Sequence, residues 1–366
     1  MKIDYICITY NPVVGGAETL VKNIAERMSQ KGHDVTVHTS TLNPNYTGEI
    51  QREEVINGVR VIRSRVFPFF LFFPRIRKPE IVHLFSFGDN FIVQSFLRRR
   101  YMLITSPIGE EIYSSYKKRI KLAGKPALNF SRVIAAMTEY EKNILVDTYG
   151  IDRNKIIVWP AGVDDGAFSP PNMNNVRQTI ENIPRFRYFI RVARIDRVKE
   201  LEFGIKLLSN LPGMCYVIAG VFQDNDYLNE LKGMADKFGV SDRLIFTGRI
   251  TDDEKRFLLQ HAVFYLLANH ETFGITTVEA MAQGIPILAA NVREYAGIIF
   301  DNINSLVYEY GNVEDAIEKA MHLINNDMLI KKLGENGIDI AKKNFMWDNL
   351  ADIIEKIYSD QLAAKI

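Results

Sequence analysis

The stretch AVFYLLANHETFGITTVEAMAQGIPILAA, residues 262–290, reads as a strand, a loop, a helix and a second strand. VFYLLA and IPILAA are short and apolar, as expected of parallel strands that are buried on both faces. Parallel strands joined by a helix place the loop after the first strand at the carboxyl edge of the sheet, where α/β proteins bind ligands. Glu271 and Glu279 lie on either side of a Phe-Gly pair here, so this segment indicates both an α/β fold and a ligand site.

The same alternation continues over the whole chain of 366 residues. IDYICIT precedes AETLVKNIAERMSQKG, where apolar residues recur at helical spacing, and a second series begins with RYFIRVAR. AGVDDGAFSPP (161–171) is rich in Gly, Pro and Asp, as a linker would be. We therefore predict two Rossmann-like, doubly wound domains that face each other across a cleft, 1–165 and 166–345, with a last helix over 346–366 packing on the first domain.

Composition excludes several classes of protein. The chain is 47% hydrophobic and 24% charged, as is ordinary for globular domains, and it has two cysteines, Cys7 and Cys215, far apart in the chain. No run approaches the roughly 20 apolar residues of a membrane-spanning helix, and the first apolar run is too short for a signal peptide. We expect a cytoplasmic protein without disulfides.

Two loops carry the residues suited to a nucleoside diphosphate and a sugar. Arg194 and Lys199 follow the strand RYFIRVAR, and paired cations at a strand end suit a diphosphate. Gly274 precedes a helix whose free N–H groups also favour an anion. Glu279 can accept hydrogen bonds from a ribose diol, and Glu271 can reach a sugar hydroxyl. The alternative is that each residue alone is a solvated loop cation or a capping acid.

A Gly-Gly turn follows the first strand. Gly15 and Gly16 leave room for a phosphate or sugar near the start of the next helix. Their spacing differs from G-x-G-x-x-G, and the second strand ends in His38, Thr39 and Ser40 rather than in an acid, which excludes a nicotinamide site.

Taken in order, GGAETLVKNIAERMSQKGH, PEIVHLFS, WPAGVDDGAFSP, RVARIDRVKEL and HETFGITTVEAMAQGIPI resemble retaining glycosyltransferases of family 4, which have the GT-B fold and are also called glycosyl transferases group 1. The resemblance implies a retaining hexosyltransferase that moves a sugar from a UDP- or GDP-sugar to a lipid-linked or glycan acceptor. It implies catalytic roles for Glu271, Arg194 and Lys199. It also implies a donor site built from Gly15, Gly16, Gly248, Arg249, Ile250, Phe273, Gly274, Ile275, Thr276 and Glu279, in which 248–250 contact the base and the 273–276 backbone covers the diphosphate.

The chain departs from the family pattern on the acceptor side. Pro107 lies near the expected position of a histidine, Ala161 replaces the linker asparagine, and REYAGII replaces a Gly-Gly-x-Pro-Glu stretch. Two alternatives therefore stay open. One is a nucleotide-sugar epimerase or hydrolase of the same fold, and the other is a non-catalytic nucleotide-sugar-binding subunit.

Cations at the diphosphate make a divalent metal unnecessary, so we expect neither a metal nor a cofactor beyond the nucleotide sugar. The sequence DND (224–226) resembles a metal-binding Asp-x-Asp, but it precedes a helical run, where an N-cap is the better interpretation. His83 and His270 could touch substrate, although a structural role is the better interpretation of each.

A basic and aromatic region suggests an anionic surface as a partner. Residues 60–132 hold 15 basic and 4 acidic side chains, and VFPFFLFFPRIRK (66–78) sets five Phe beside three cations. Such a mixture suits a membrane interface, so we predict peripheral attachment to the inner face of the cell membrane. The competing interpretation buries the Phe residues in the first domain. Nucleic acid is not an expected partner.

Overall fold

A computed structural model of the chain describes residues 1–13, 15–41, 50–64, 78–85, 101–107, 125–126, 128–271, 273–295 and 297–364. The strands are β1 Lys2–Cys7, β2 Asp34–Ser40, β3 Glu53–Ile56, β4 Val59–Ser64, β5 Ile81–Phe85, β6 Met102–Ser106, β7 Val133–Ala136, β8 Ile156–Val158, β9 Arg187–Val192, β10 Met214–Ala219, β11 Leu244–Gly248, β12 Tyr265–Leu267, β13 Ile287–Ala290 and β14 Ser305–Tyr308. The helices are α1 Gly16–Gln30, α2 Glu139–Asp147, α3 Gln178–Glu181, α4 Glu202–Ser209, α5 Asn225–Phe238, α6 Asp252–His261, α7 Ile275–Ala282, α8 Val313–Ile324, α9 Asp327–Asn344 and α10 Trp347–Ala363.

The chain forms two compact units. Unit 1 contains Met1–Gly162 and Trp347–Ile366, and unit 2 contains Val163–Met346. The division lies close to the predicted one at 165 and 345, and the small difference has a cause. The amide of Val163 donates to the carbonyl of Phe345 at 2.8 Å, which ties the residues after Gly162 to unit 2.

In the described part of unit 1 the strand order is β3-β4-β2-β1-β5-β6-β7-β8, and only β3 pairs antiparallel. Of the apolar residues that recur at helical spacing in α1, Ala17 is half-buried and the others are buried: Leu20, Val21, Ile24, Ala25 and Met28. The chain order reverses between β1 and β5, which are neighbours in the sheet. The Gly-Gly turn follows β1, so it lies at the switch point of unit 1.

The helix α10 packs on unit 1. The indole N–H of Trp159 donates to the carbonyl of Leu350 at 2.9 Å, and Arg27 on α1 forms an ion pair with Asp348 at 2.6 Å. Tyr358, which is fully buried, reaches His83 on β5. The last helix therefore completes the core of the unit that contains the start of the chain.

In unit 2 the strands are all parallel and lie in the order β11-β10-β9-β12-β13-β14. This is the doubly wound arrangement, in which the chain moves outward from β9 and then returns to the other side of β9 with β12. The strand β10 is buried along its whole length because helices pack on both faces. The switch point between β9 and β12 brings the loop of Arg194 and Lys199 next to the loop of Glu271.

No helix in the part of the chain that the structure describes is long and apolar enough to cross a membrane. Of the run predicted to meet a membrane, 66–78, all but Lys78 lies outside the described residues, as does most of the basic region 60–132.

Candidate functional site

The centre of the site in unit 2 is Glu271, which follows β12. Its Oε1 accepts from Nζ of Lys199 at 2.7 Å, and its Oε2 accepts from Nη2 of Arg191 at 2.7 Å. Burial by itself would raise the pKa of Glu271, but the two cations outweigh it and lower the pKa to about 2. The carboxylate is therefore ionised over the physiological range, and the cluster of three side chains has a net charge of +1.

Arg191 is the residue of the candidate site that sequence reasoning missed. It lies on β9 and is only 2% exposed, and it donates at 2.8 Å to Oη of Tyr265 and at 2.8 Å to Oδ1 of Asn269. Burial opposes its charge, but Tyr265 and Glu271 hold the pKa of the guanidinium above its ordinary value. The signal was present in the sequence, because a cation interrupts the buried run YFIRV and a buried cation requires a partner.

Lys199 and Arg194 do not share a partner. Lys199 turns toward β12 and Glu271, with only 14% of its side chain exposed. Arg194 turns toward β10, where it donates to Gln223 at 2.6 Å, and it pairs with Asp196 at 3.3 Å. Since β9 lies between β10 and β12, these two predicted catalytic cations flank the strand from opposite sides.

The start of α7 lies beside Glu271. Gly274 is the N-cap and has a φ of +72°, and a Cβ there would lie 3.0 Å from Oγ1 of Thr277, so this position requires glycine. Among the described residues no side chain caps the helix, and Thr276 bonds instead to Tyr265 at 2.8 Å. The positive end of α7 is therefore held close to the net cationic cluster.

Two of the predicted backbone contacts, Phe273 and Ile275, flank Gly274. Phe273 is 2% exposed and packs edge-on against Phe345, with the two ring centroids 5.6 Å apart. Its side chain therefore lies in the core, while its main chain forms part of the loop. Thr272 lies outside the described residues.

Glu279 lies one turn into α7 and has a different partner. Its Oε1 accepts from Nζ of Lys255 on α6 at 2.7 Å. Burial raises the pKa of Glu279, and Lys255 opposes that rise. The two acids are therefore held by different cations, Glu271 by Arg191 and Lys199, and Glu279 by Lys255.

The residues predicted to contact a nucleotide base, 248–250, lie at the end of β11 and just after it. Gly248 has a φ of +68°, and a Cβ built on it would lie 3.6 Å from the ring of Phe222. The carbonyl of Arg249 accepts from Nη2 of Arg177 at 2.9 Å, which fixes the loop. Ile250 precedes Thr251, the N-cap of α6.

The Gly-Gly turn belongs to unit 1. Gly15 is the N-cap of α1 with an extended backbone, and a Cβ on Gly16 would meet no described atom within 4 Å. Neither Gly15 nor Gly16 has a positive φ that would require glycine. Packing against the described atoms does not require glycine at Gly16 either. A Cβ on Gly15 would overlap Oε2 of Glu18, so among the described residues the open space lies beside Gly16. That space is consistent with the predicted approach of a ligand.

The stretch that departs from the family pattern, REYAGII, contacts the loop after β12. Nδ1 of His270 lies 2.9 Å from a carboxylate oxygen of Glu294, and the hydroxyl of Tyr295 donates to the carbonyl of Asn269. The side chains of Glu294 and Tyr295 therefore brace the loop after β12, and His270 has a hydrogen-bond partner in Glu294.

His83 is also structural. It is buried, with Nδ1 2.6 Å from the Tyr358 hydroxyl and Nε2 2.9 Å from the Ser106 hydroxyl. Burial lowers its pKa to about 3, so it stays neutral. Pro107, which follows β6, is buried as well.

The DND stretch acts as predicted for a helix start, because the carboxylate of Asp224 accepts from the amide of Tyr227 at 2.9 Å and caps α5. Over the described ranges, no group of three or more His, Cys, Asp or Glu is placed to hold a metal ion.

Two family models match the chain. The model of glycosyl transferases group 1 matches residues 173–340, and the model of glycosyltransferase family 4 matches residues 14–167. The two matches follow one another and together span most of the chain. The first covers the β9–β14 sheet with the Glu271 site, and the second covers the unit with the Gly-Gly turn.

Relatives match over nearly the full length. An uncharacterized glycosyltransferase of Methanocaldococcus jannaschii is 25% identical, with 98% of each chain covered. The alpha-monoglucosyldiacylglycerol synthase of Streptococcus pneumoniae is 24% identical over 94% of this chain and 83% of that protein. The GDP-mannose:cellobiosyl-diphosphopolyprenol alpha-mannosyltransferase of Komagataeibacter xylinus is 22% identical over 99% and 94%.

Solved structures share the fold. The sucrose-phosphate synthase of Thermosynechococcus elongatus has a TM-score of 0.85 at 17% identity, with 99% of each chain covered. The Anabaena protein HepE, in complex with UDP and glucose, has a TM-score of 0.79 at 16% identity, with 98% of this chain and 100% of that chain covered. The chain therefore belongs to the family 4, group 1 glycosyl transferases and has their GT-B fold.

Proposed function

We propose that this chain transfers a hexose from a UDP- or GDP-sugar to a lipid-linked or glycan acceptor, with retention of anomeric configuration. The observation that carries the proposal is Glu271 held at 2.7 Å by both Arg191 and Lys199 at the switch point of unit 2. A buried cluster with a net charge of +1, beside a helix start that no described side chain caps, suits an anionic ligand. A nucleoside diphosphate is such a ligand.

The chemistry assigned to the site is electrostatic. When the bond between the sugar C1 and the diphosphate oxygen breaks, negative charge develops on that oxygen. Lys199 uses one of its three N–H donors on Glu271, so two remain for phosphate oxygens. Arg194 lies on the other side of β9 and has N–H groups beyond those bound to Gln223 and Asp196. The reaction then needs neither a divalent metal nor a cofactor.

The acids position the donor. Glu271 accepts one hydrogen bond on each oxygen from a cation and keeps lone pairs for a sugar hydroxyl. Glu279 is assigned to the ribose, and the turn at 248–250 to the base. Gly15 and Gly16, which belong to unit 1, are assigned to a sugar or phosphate ligand.

The acceptor is proposed from the relatives. One of them is named for a diacylglycerol glycolipid and another for a polyprenol diphosphate, both of which are membrane lipids. The basic region 60–132 suits an anionic lipid surface. Peripheral attachment to the cytoplasmic leaflet is part of the proposal.

Binding is tested first with a thermal-shift panel of UDP, GDP and ADP, because a ligand at 100 times its Kd stabilises a protein by about 2.7 kcal/mol. The nucleotide that binds then fixes which sugars are assayed for transfer. Glu279→Ala should weaken binding by about 1.5–3 kcal/mol, as for a hydrogen bond to a charged group.

Turnover is tested with Lys199→Met, which should abolish most transfer, whereas Lys206→Met on the exposed face of α4 serves as the matched control. No shift with any of the three nucleotides would contradict the proposal. Release of free sugar at the same rate with and without acceptor would indicate a hydrolase instead.

A further inference from the structure

The ion pair between Lys255 and Glu279 joins two helices of unit 2. The Nζ of Lys255 on α6 donates to Oε1 of Glu279 on α7 at 2.7 Å and to Oδ1 of Asp252 at 3.0 Å. The side chains of Lys255 and Glu279 are only 18% and 20% exposed. The pair is therefore largely shielded from water, where geometry and charge have more effect than in a surface ion pair.

The first turn of α6, which carries Lys255, is fixed by hydrogen bonds. Thr251 and Glu254 form a capping box at the start of α6, and Glu254 is 1% exposed. Arg177 binds both the Glu254 carboxylate, at 3.1 Å from Nη2, and the carbonyl of Arg249 at 2.9 Å. The segment that carries the predicted base contacts and the segment that carries Lys255 are thus fixed as one piece.

Glu279 has acceptor capacity to spare. Its Oε2 is buried and has no hydrogen-bond partner among the described residues. An ionised carboxylate offers about four lone-pair positions, and Lys255 occupies one of them. A buried acceptor without a donor is unfavourable, so a ligand hydroxyl that reaches this carboxylate would relieve the deficit.

The charge of Glu279 depends on Lys255. Burial raises the pKa of the carboxyl, and Asp252 and Asp164 raise it further, whereas Lys255 is the group that lowers it. A neutral carboxylic acid would be a weaker acceptor for two hydroxyl groups than a carboxylate is. The ammonium thus orients the acid and favours its ionised form.

We propose that Lys255 is a positioning residue that holds Glu279 as an oriented carboxylate for the ribose hydroxyls of the nucleotide. This inference rests on the proposed function, since it deepens the assignment of Glu279 to the ribose. Lys255 acts through Glu279, so its removal affects recognition of the ribose more than recognition of the base or the diphosphate.

The test compares nucleotides with and without ribose hydroxyls. Affinities of the parent, Lys255→Met and Lys255→Arg are measured by calorimetry for UDP and GDP and for their 2′,3′-dideoxy analogues. Lys232→Met, an exposed lysine on α5, is the matched control, and circular dichroism checks that each variant is folded.

We expect the parent to prefer the ribonucleotide that it binds over the dideoxy form, and Lys255→Met to lose about tenfold of that preference. The affinity for the dideoxy form should change by less than about twofold, and Lys255→Arg should restore most of the preference because it keeps the charge.

An equal loss for both forms would show a structural role and overturn the inference, as would an unchanged preference or tighter binding of the ribonucleotide by Lys255→Met. Each of those results leaves the proposed function standing. If the parent binds neither UDP nor GDP, the proposed function fails and the inference fails with it.

Discussion

Replacement of Arg191 by Met should destabilise unit 2 strongly. The guanidinium is 2% exposed and makes hydrogen bonds to Tyr265, Asn269 and Glu271. Removing one partner of a buried ion pair typically costs about 3–5 kcal/mol because a charge is left behind. Here Lys199 still pairs with Glu271, so we expect the lower end, about 3 kcal/mol.

The replacement removes a hydrogen-bond donor from each acceptor of Arg191, but not with equal effect. Tyr265 keeps its hydrogen bond to Thr276 at 2.8 Å, whereas Oδ1 of Asn269 loses a buried donor. The pKa of Glu271 should rise from about 2, because one of the two cations that lower it is gone. Transfer activity should then fall at acid pH in the variant, while the parent keeps its profile.

Arg194→Met is the matched control, because Arg194 lies three positions further along and has 49% of its side chain exposed. Its removal should change the free energy of unfolding by no more than about 0.5 kcal/mol, as is usual for surface positions. Activity should fall in both variants, but stability only in Arg191→Met.

The assay is guanidinium unfolding followed by circular dichroism at 222 nm. The two tryptophans, Trp159 and Trp347, both belong to unit 1. Their emission maximum should therefore be unchanged in the folded variant, which shows that unit 1 is intact. A loss below about 1 kcal/mol for Arg191→Met, or an equal loss for Arg194→Met, would refute the reasoning.

Three further predictions concern pH, metal and membrane. Burial raises the pKa of Glu141 in the folded chain to about 8. Between the pKa of this group in the unfolded chain and pH 8, the free energy of unfolding of the parent should therefore fall by about 1.4 kcal/mol per pH unit. Glu141→Gln should remove that loss, so urea unfolding at pH 5 and pH 8 should show an advantage of the variant that grows with pH; a constant difference would contradict it. Sugar transfer should survive EDTA, and abolition by EDTA with rescue by Mn²⁺ would contradict a metal-independent reaction. The chain should sediment with vesicles that contain anionic lipid and should be released by salt, because each Lys or Arg near such a surface contributes about 1 kcal/mol; a chain that stays in the supernatant at low salt would contradict peripheral attachment.

Much of the fold follows from local sequence patterns. Apolar residues at helical spacing predicted the buried face of α1, and short apolar runs predicted β12 and β13. Such patterns are readable because each element must bury its own apolar face whatever its neighbours are. The boundaries between the units are less local, since the hydrogen bond from Val163 to Phe345 joins residues far apart in the chain.

The candidate site was predicted in part. Glu271, Glu279 and Lys199 lie at strand ends or at a helix start, and those positions can be inferred from a strand–loop–helix pattern. Arg194 was expected to join Lys199, but the structure turns it toward Gln223 on the other side of β9. Which way a loop cation turns depends on the partners that neighbouring strands supply, and those partners are remote in sequence.

By itself, the sequence determined that two α/β units form, that the acids flank the start of α7, and that Gly274 allows its turn. Those features depend on backbone preferences and on periodic burial within short segments. Only the tertiary structure decided that Arg191 and Lys199 each pair with one oxygen of Glu271 and that Lys255 pairs with Glu279. The reason is physical: the charge and pKa of a buried carboxylate depend on cations within about 4 Å, and parallel strand order, not sequence distance, sets which cations those are.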